Sequence, residues 1–382
     1  MKKYWLRILS LICIFPLITA QATTNASNQM IAQTVMAWMK TNDIPGVAVE
    51  VYNNGVPHSY YFGYADRQTK KLITGATIFE IGSLTQLFTS LLLAEEVDTN
   101  KVKLSDPMVN YLIDLNVKPN KQLNKITLQN LATHTAGLPF NLPKTVRTQS
   151  DLDFYFPTWK PQFPIGSQWA YSNVGVGLLG SALEVITHES FNQLYRGKIL
   201  QPLGMQPIGI VVPKQLLSNY VQGYDDNGAA VLRKNIDDLF PSSDDMKVSA
   251  VDMLQFLKAA IGLPGVPVTI ARAMQITQTS YVSTPNMQQG LGWNIYSAVE
   301  KHKAELLNPP ATMDMRPMPA QQLTKDQQKF DGAALMDATG ATAGFRVYIA
   351  LIPNAKSGVV ILVNRNIPDY EIIRLGREIL FN

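Results

Sequence analysis

The chain has 382 residues, 46% of them apolar, with 33 basic and 29 acidic residues and one cysteine. That is ordinary globular material, long enough to bury a large core. The near balance of charge gives no sign of a nucleic-acid or anionic-surface binder, and no solenoid repeat or low-complexity tract is present.

The N-terminus reads as a targeting segment. Lys2, Lys3 and Arg7 form a basic region, Ile8 to Ile18 is apolar apart from Ser10 and Pro16, and Ala20-Gln21-Ala22 is a small-x-small cleavage site. This describes a secretory signal over residues 1–22, too short to span a membrane. It predicts a mature domain over 23–382 in the periplasm or secreted, with no membrane anchor after cleavage. Cys13 lies inside the signal, so the mature chain has no disulfide, thiolate nucleophile or sulfur ligand. Without the three basic signal residues the mature charge is about +1.

In chain order, Ile31, Val35, Trp38 and Met39 have helical spacing within Gln29 to Lys40. Val47 to Tyr52 and His58 to Tyr64 read as a hairpin turned at Asn53-Asn54-Gly55. Ser83 sits at the start of an apolar helix, Leu87 to Val97, whose Leu87, Leu91 and Leu92 read as core. Thr127 to His134 is a further helix stopped by Ala136-Gly137-Leu138-Pro139. Pro157, Pro161, Pro164 and Gly166 predict an irregular stretch up to Gln168. Val174 to Ile186 is a helix of small residues. Ala333 to Ala338, Gly344 to Ile352 and Val359 to Asn364 read as strands, and Tyr370 to Leu380 as an amphipathic helix. The expected architecture is α/β in the α+β sense: an antiparallel sheet built from both termini, flanked by helices, with a helical lobe inserted from the middle.

Three short segments carry chemistry: Ser83-Leu84-Thr85-Gln86, Tyr171-Ser172-Asn173 and Ala338-Thr339-Gly340-Ala341-Thr342. In order and flanks they resemble the class C β-lactamases, and more widely the serine penicillin-binding and esterase relatives. That family reads Ser-x-x-Lys at a helix start, Tyr-x-Asn on a loop and Lys-Thr-Gly on an edge strand. Phe79-Glu80-Ile81-Gly82-Ser83, Leu104-Ser105-Asp106-Pro107, Leu131 to Pro139, Gly290-Leu291-Gly292-Trp293 and Thr339 to Thr342 extend the resemblance over Gln29 to Asn382. Residues 262–284 and 301–329 match least.

The resemblance implies acyl transfer. Ser83 would be the nucleophile, its own N–H and that of Ala341 the oxyanion donors, and Tyr171 the proton carrier. Asn141 and Asn173 would hold the amide side chain of a β-lactam. Thr339 and Asn366 would lie at the substrate carboxylate, and Gly340 would also border the substrate. No cofactor is implied, and the expected partner is a β-lactam or peptidoglycan fragment bound to a monomer. His58, His134, His188 and His302 show no metal-ligand spacing; His134 reads as a capping or packing residue.

Two positions depart from the pattern. Gln86 stands where the family has the first lysine, and Ala338 where it has the second. An ammonium there lowers the pKa of its neighbours and relays protons; Gln86 donates a hydrogen bond without charge, and Ala338 does neither. Arg346 is the nearest compensating cation in sequence, able to hold a carboxylate but not to act as a base; its ordinary reading is a solvent-facing strand residue. Two functions stay open. One is a serine β-lactamase, peptidase or esterase acylated at Ser83; the other is a binding pseudoenzyme with a preserved cleft, toward which the two lost lysines lean.

Overall fold

The computed structural model describes residues 16–53, 55–112, 120–234, 239–310 and 316–382, and the side chains from residue 27 onward. The expected signal therefore falls largely outside the described residues, as does Cys13. The first helix, Pro16–Thr41, extends well before the Gln29 start expected from apolar spacing. Among the described residues no helix is long and apolar enough to cross a membrane.

The hairpin strands Gly46–Asn53 and Val56–Asp66 pair antiparallel in the register Val47↔Phe62. The first of them then pairs with the last strand of the chain, Ser357–Val363, in the register Val49↔Ile361. Next come Phe345–Ile352 and Leu335–Thr342, so the sheet is completed by both ends of the chain. Among the described residues five short strands extend this row to ten, every neighbour antiparallel. The expected architecture is the one observed.

Helices cover both faces, which explains why Ser357–Val363 is buried throughout and lacks polar alternation. Successive strand side chains point to opposite faces. Ala48, Val347, Ile349, Val360 and Leu362 pack with Phe88 and Phe256 on the helical-lobe side. Val47, Val49, Tyr348, Ile361 and Val363 pack with Ile31, Val35 and the C-terminal helix Asp369–Phe381 on the other.

Two local readings need correction. The stretch expected to be irregular begins with a helix, Gln149–Thr158, that carries Pro157 in its last turn. A capping box between Thr148 and Asp151 starts this helix, outweighing the proline near its end. Ser83 lies at a helix start as expected, in a short 3-10 turn, Gly82–Leu84, that runs directly into the helix Thr85–Asp98. The strand Leu335–Thr342 is interior to the sheet. Its outer neighbour Asn294–Tyr296 pairs only with Leu335 to Asp337, however, so Ala338 to Thr342 keep one open side, toward the cleft.

Candidate active site

Close backbone approach positions the serine. Gly82 has φ +49, and a Cβ there would meet Ala341 O at 2.2 Å and Ala341 N at 2.7 Å. A Cβ on Gly340 would meet Ile81 O at 2.0 Å. Glycine at both positions lets strand and turn touch through their backbones, which brings the amide of Ala341 against the turn that bears Ser83.

Tyr171 comes from a loop fixed by its neighbours. Ser172 caps the helix Asn173–Thr187, its Oγ accepting from Gly175 N at 2.9 Å and donating to Pro139 O at 2.6 Å. His134 presents Nδ1 to Ser172 N at 3.3 Å, and its ring lies 4.4 Å from that of Tyr171. Burial holds the His134 pKa down at about 4, so the imidazole is neutral. The packing role expected for His134 is the one seen, and it supports Tyr171 directly.

The side chains converge on one cleft of about 370 Å³, lined among others by Ser83, Gln86, Tyr171, Thr339, Ala341 and Arg346. Asn141, Asn173, Ala338 and Gly340 line it too. The Ser83 side chain lies close enough to the Tyr171 hydroxyl to favour its ionised form. Gln86, almost fully buried, donates from Nε2 to Tyr171 Oη at 2.5 Å and to Asn173 Oδ1 at 3.1 Å. Asn173 in turn donates to Asn141 Oδ1 at 2.9 Å. A neutral amide chain thus runs from Asn141 to the tyrosine.

The charges around Tyr171 are the reverse of an ammonium pair. Burial pushes its pKa well above the usual tyrosine range, and the carboxylates of Asp244 and Asp369 push the same way, against Ser83 and the hydrogen bond from Gln86. Both aspartates line the cleft; neither was foreseen from the sequence. Asp369 follows Pro368 in the first turn of a helix, a recognisable start signal. Asp244 carries no comparable sign. Lys234 Nζ lies 2.6 Å from Asp244 Oδ1 and 2.8 Å from Asp245 Oδ1.

Two expected residues stand elsewhere. Arg346, read as solvent-facing, lines the cleft instead, 2.8 Å from Asp369 Oδ1 and 2.6 Å from Asn366 Oδ1. It was misread because half-exposed strand positions look alike without the register. Asn366 is not among the residues lining the cleft; it stands behind Arg346 and holds the guanidinium. Among the described residues no group of His, Cys, Asp or Glu could hold a metal ion.

The cleft lies on a sheet completed by both termini, and that fold is found in known proteins. Residues 31–380 match the family model described as beta-lactamase. A beta-lactamase of Pseudomonas fluorescens is 34% identical over 92% of this chain and 97% of its own. One of Escherichia coli is 32% identical over 95% and 97%. Among solved structures, a beta-lactamase/D-alanine carboxypeptidase from Pseudomonas syringae superposes with a TM-score of 0.86 at 26% identity, covering 94% of this chain and 99% of its own. A class C beta-lactamase in complex with cefoxitin gives 0.85 at 26%, with the same coverage. The chain belongs to the beta-lactamase family.

Proposed function

We propose that this chain is an exported, single-domain member of the class C β-lactamase and D-alanine carboxypeptidase type, whose cleft binds β-lactam or peptidoglycan-type ligands and acylates slowly or not at all. Mature residues 23–382 would act as a monomer outside the cytoplasm. Ser83 Oγ is the nucleophile. The N–H groups of Ser83 and Ala341 receive the carbonyl oxygen, Tyr171 carries the proton, Asn141 and Asn173 meet the acyl side chain, and Thr339 and Gly340 face the far end of the ligand.

The observation that carries this reading is Gln86. Its amide donates to Tyr171 and Asn173, at the position where the resemblance implies an ammonium. Acylation forms the Ser83 Oγ–C bond, breaks the ligand's C–N bond, and moves the serine proton to the leaving nitrogen. A neutral amide accepts no proton, and a buried tyrosine beside two carboxylates is a poor base. At an unshifted pKa near 10 only about one part in a thousand is phenolate at neutral pH, and here the fraction is smaller. Losing general-base assistance costs about 10²–10⁴-fold in rate.

The second reading, an active serine β-lactamase, peptidase or esterase, is favoured by the placing of Ser83 and Tyr171 together in one cleft and by relatives named as enzymes. Exposure to a penicillin followed by intact-mass measurement separates the two, with little or no adduct at Ser83 expected. Steady-state hydrolysis of a chromogenic cephalosporin by Gln86→Lys, Ala338→Lys and the double variant then tests the cause. Gln86→Lys should help more, and the double should exceed the product of the singles because both charges act on one proton network. An ordinary enzyme rate in the wild type, abolished by Ser83→Ala, would end the slow-acylation reading.

A further inference from the structure

Among the described residues lining the cleft, Arg346 is the single side chain that is positive at neutral pH, His134 being neutral. It belongs to the strand Phe345–Ile352, opposite Ala341 in the register. Cross-strand partners share a face. Tyr348, two residues on, faces the C-terminal helix. Ala338 packs with the helical-lobe core on the other face. Arg346 therefore reaches the cleft from the opposite side of the strand to Ala338. It cannot stand in for an ammonium beside Tyr171, but it can receive a charge at the ligand's far end, next to Thr339.

Its present partners show an occupied seat. Nη1 donates to Asp369 Oδ1 at 2.8 Å and Nη2 to Asn366 Oδ1 at 2.6 Å. Nε is buried with no hydrogen-bond partner among the described residues. Asn366 fixes the guanidinium from behind without charge, while Asp369 lies in the cleft wall and neutralises it. The donor fork suits a carboxylate, and one carboxylate already sits on it.

We infer that Arg346 is the anion seat of this cleft and Asp369 its resident competitor, so that a ligand carboxylate binds by displacing Asp369 from the guanidinium. This rests on the reading that the cleft takes an acyl ligand, and it adds a selectivity that reading lacks. The site favours anionic ligands over neutral ones of the same shape, and Asp369 lowers the affinity it would otherwise have for them.

The test uses the full chain with phenylacetate and phenylacetamide, which share a shape and differ in charge, each titrated by calorimetry. The wild type should prefer the acid. Asp369→Asn should tighten phenylacetate by about tenfold, the scale of one charged hydrogen bond, and leave phenylacetamide unchanged. Arg346→Lys, which keeps the charge but loses the fork, should abolish most of the preference. Thermal melts check folding, and Asp369→Ser replaces Asp369→Asn where the latter does not fold. If neither folds, the wild-type preference decides alone. The inference is overturned if acid and amide bind alike, or neither binds, or if removing the Asp369 carboxylate weakens the acid. Penicillin binding to the cleft, covalent or not, is measured separately by calorimetry and intact mass. Penicillin binding without charge preference between acid and amide removes the anion seat and leaves the acyl-ligand reading standing; charge preference without penicillin binding does the reverse.

Discussion

Arg377 and Arg346 both meet an aspartate where the sheet joins the C-terminal helix, in very different surroundings. The Arg377 and Asp337 side chains are 5% and 3% exposed. Asp337 Oδ2 accepts from Arg377 Nη2 at 2.7 Å and from Tyr348 Oη at 2.8 Å, Arg377 Nη1 donates to Leu306 O at 2.9 Å, and the guanidinium lies 4.8 Å over the Tyr296 ring. Arg346 and Asp369 are 14% and 26% exposed, and Arg346 Nε has no hydrogen-bond partner among the described residues. A pair whose polar atoms are satisfied inside the fold has nothing to exchange and acts as a clamp. A pair that opens onto a cleft with donors to spare can trade a partner for a ligand. The same residue types thus serve structure in one place and recognition in the other, according to how completely the fold satisfies them.

The largest expected effect falls on the clamp. Arg377→Ala or Asp337→Ala leaves one buried charge uncompensated and should cost about 3–5 kcal/mol in urea unfolding. If Asp369→Asn proved equally costly, the contrast between the pairs would collapse.

His134 sharpens the contrast as a buried ionisable group kept neutral rather than paired. Its pKa is 6.5 as a free group and about 4 in the fold. As pH falls the unfolded chain takes the proton first. The stability contribution is therefore full above 6.5, shrinks between 6.5 and 4, and is gone below that window, a change of about 3 kcal/mol. Comparing urea midpoints of wild type and His134→Gln at pH 7 and pH 4 checks this, with the variant expected to show a flatter dependence. An identical dependence in both would mean that His134 is protonated in the fold.

The smallest effect belongs to the open pair. Asp369→Asn should change stability by only about 1 kcal/mol, measured by thermal melts, while shifting ligand preference. A large stability loss without change in preference would assign Asp369 to the clamp class.

Much of the fold was legible because it depends on local signals. The Asn53 to Gly55 turn, the apolar spacing after Ser83 and the apolar terminal strands each specify an element through its own residues. The order of Ser83, Tyr171 and Thr339 marked the cleft, and Gln86 and Ala338 stood out as breaks in a pattern. The helix over Gln149–Thr158 escaped notice because Pro157 spoke louder than the Thr148 cap.

The sequence by itself determined the main strands and helices, their order and the motif residues that converge at the serine, since periodicity, turn chemistry and motif spacing are written along the chain. The tertiary structure alone decided which charges face the cleft. Arg346 and Asp369 lie 23 positions apart; they meet because strand register sets the face on which each side chain emerges and because the C-terminal helix docks on that face. A shift of one residue in register would turn Arg346 to the opposite face, and nothing in the amino acids on either side of it records which face it takes.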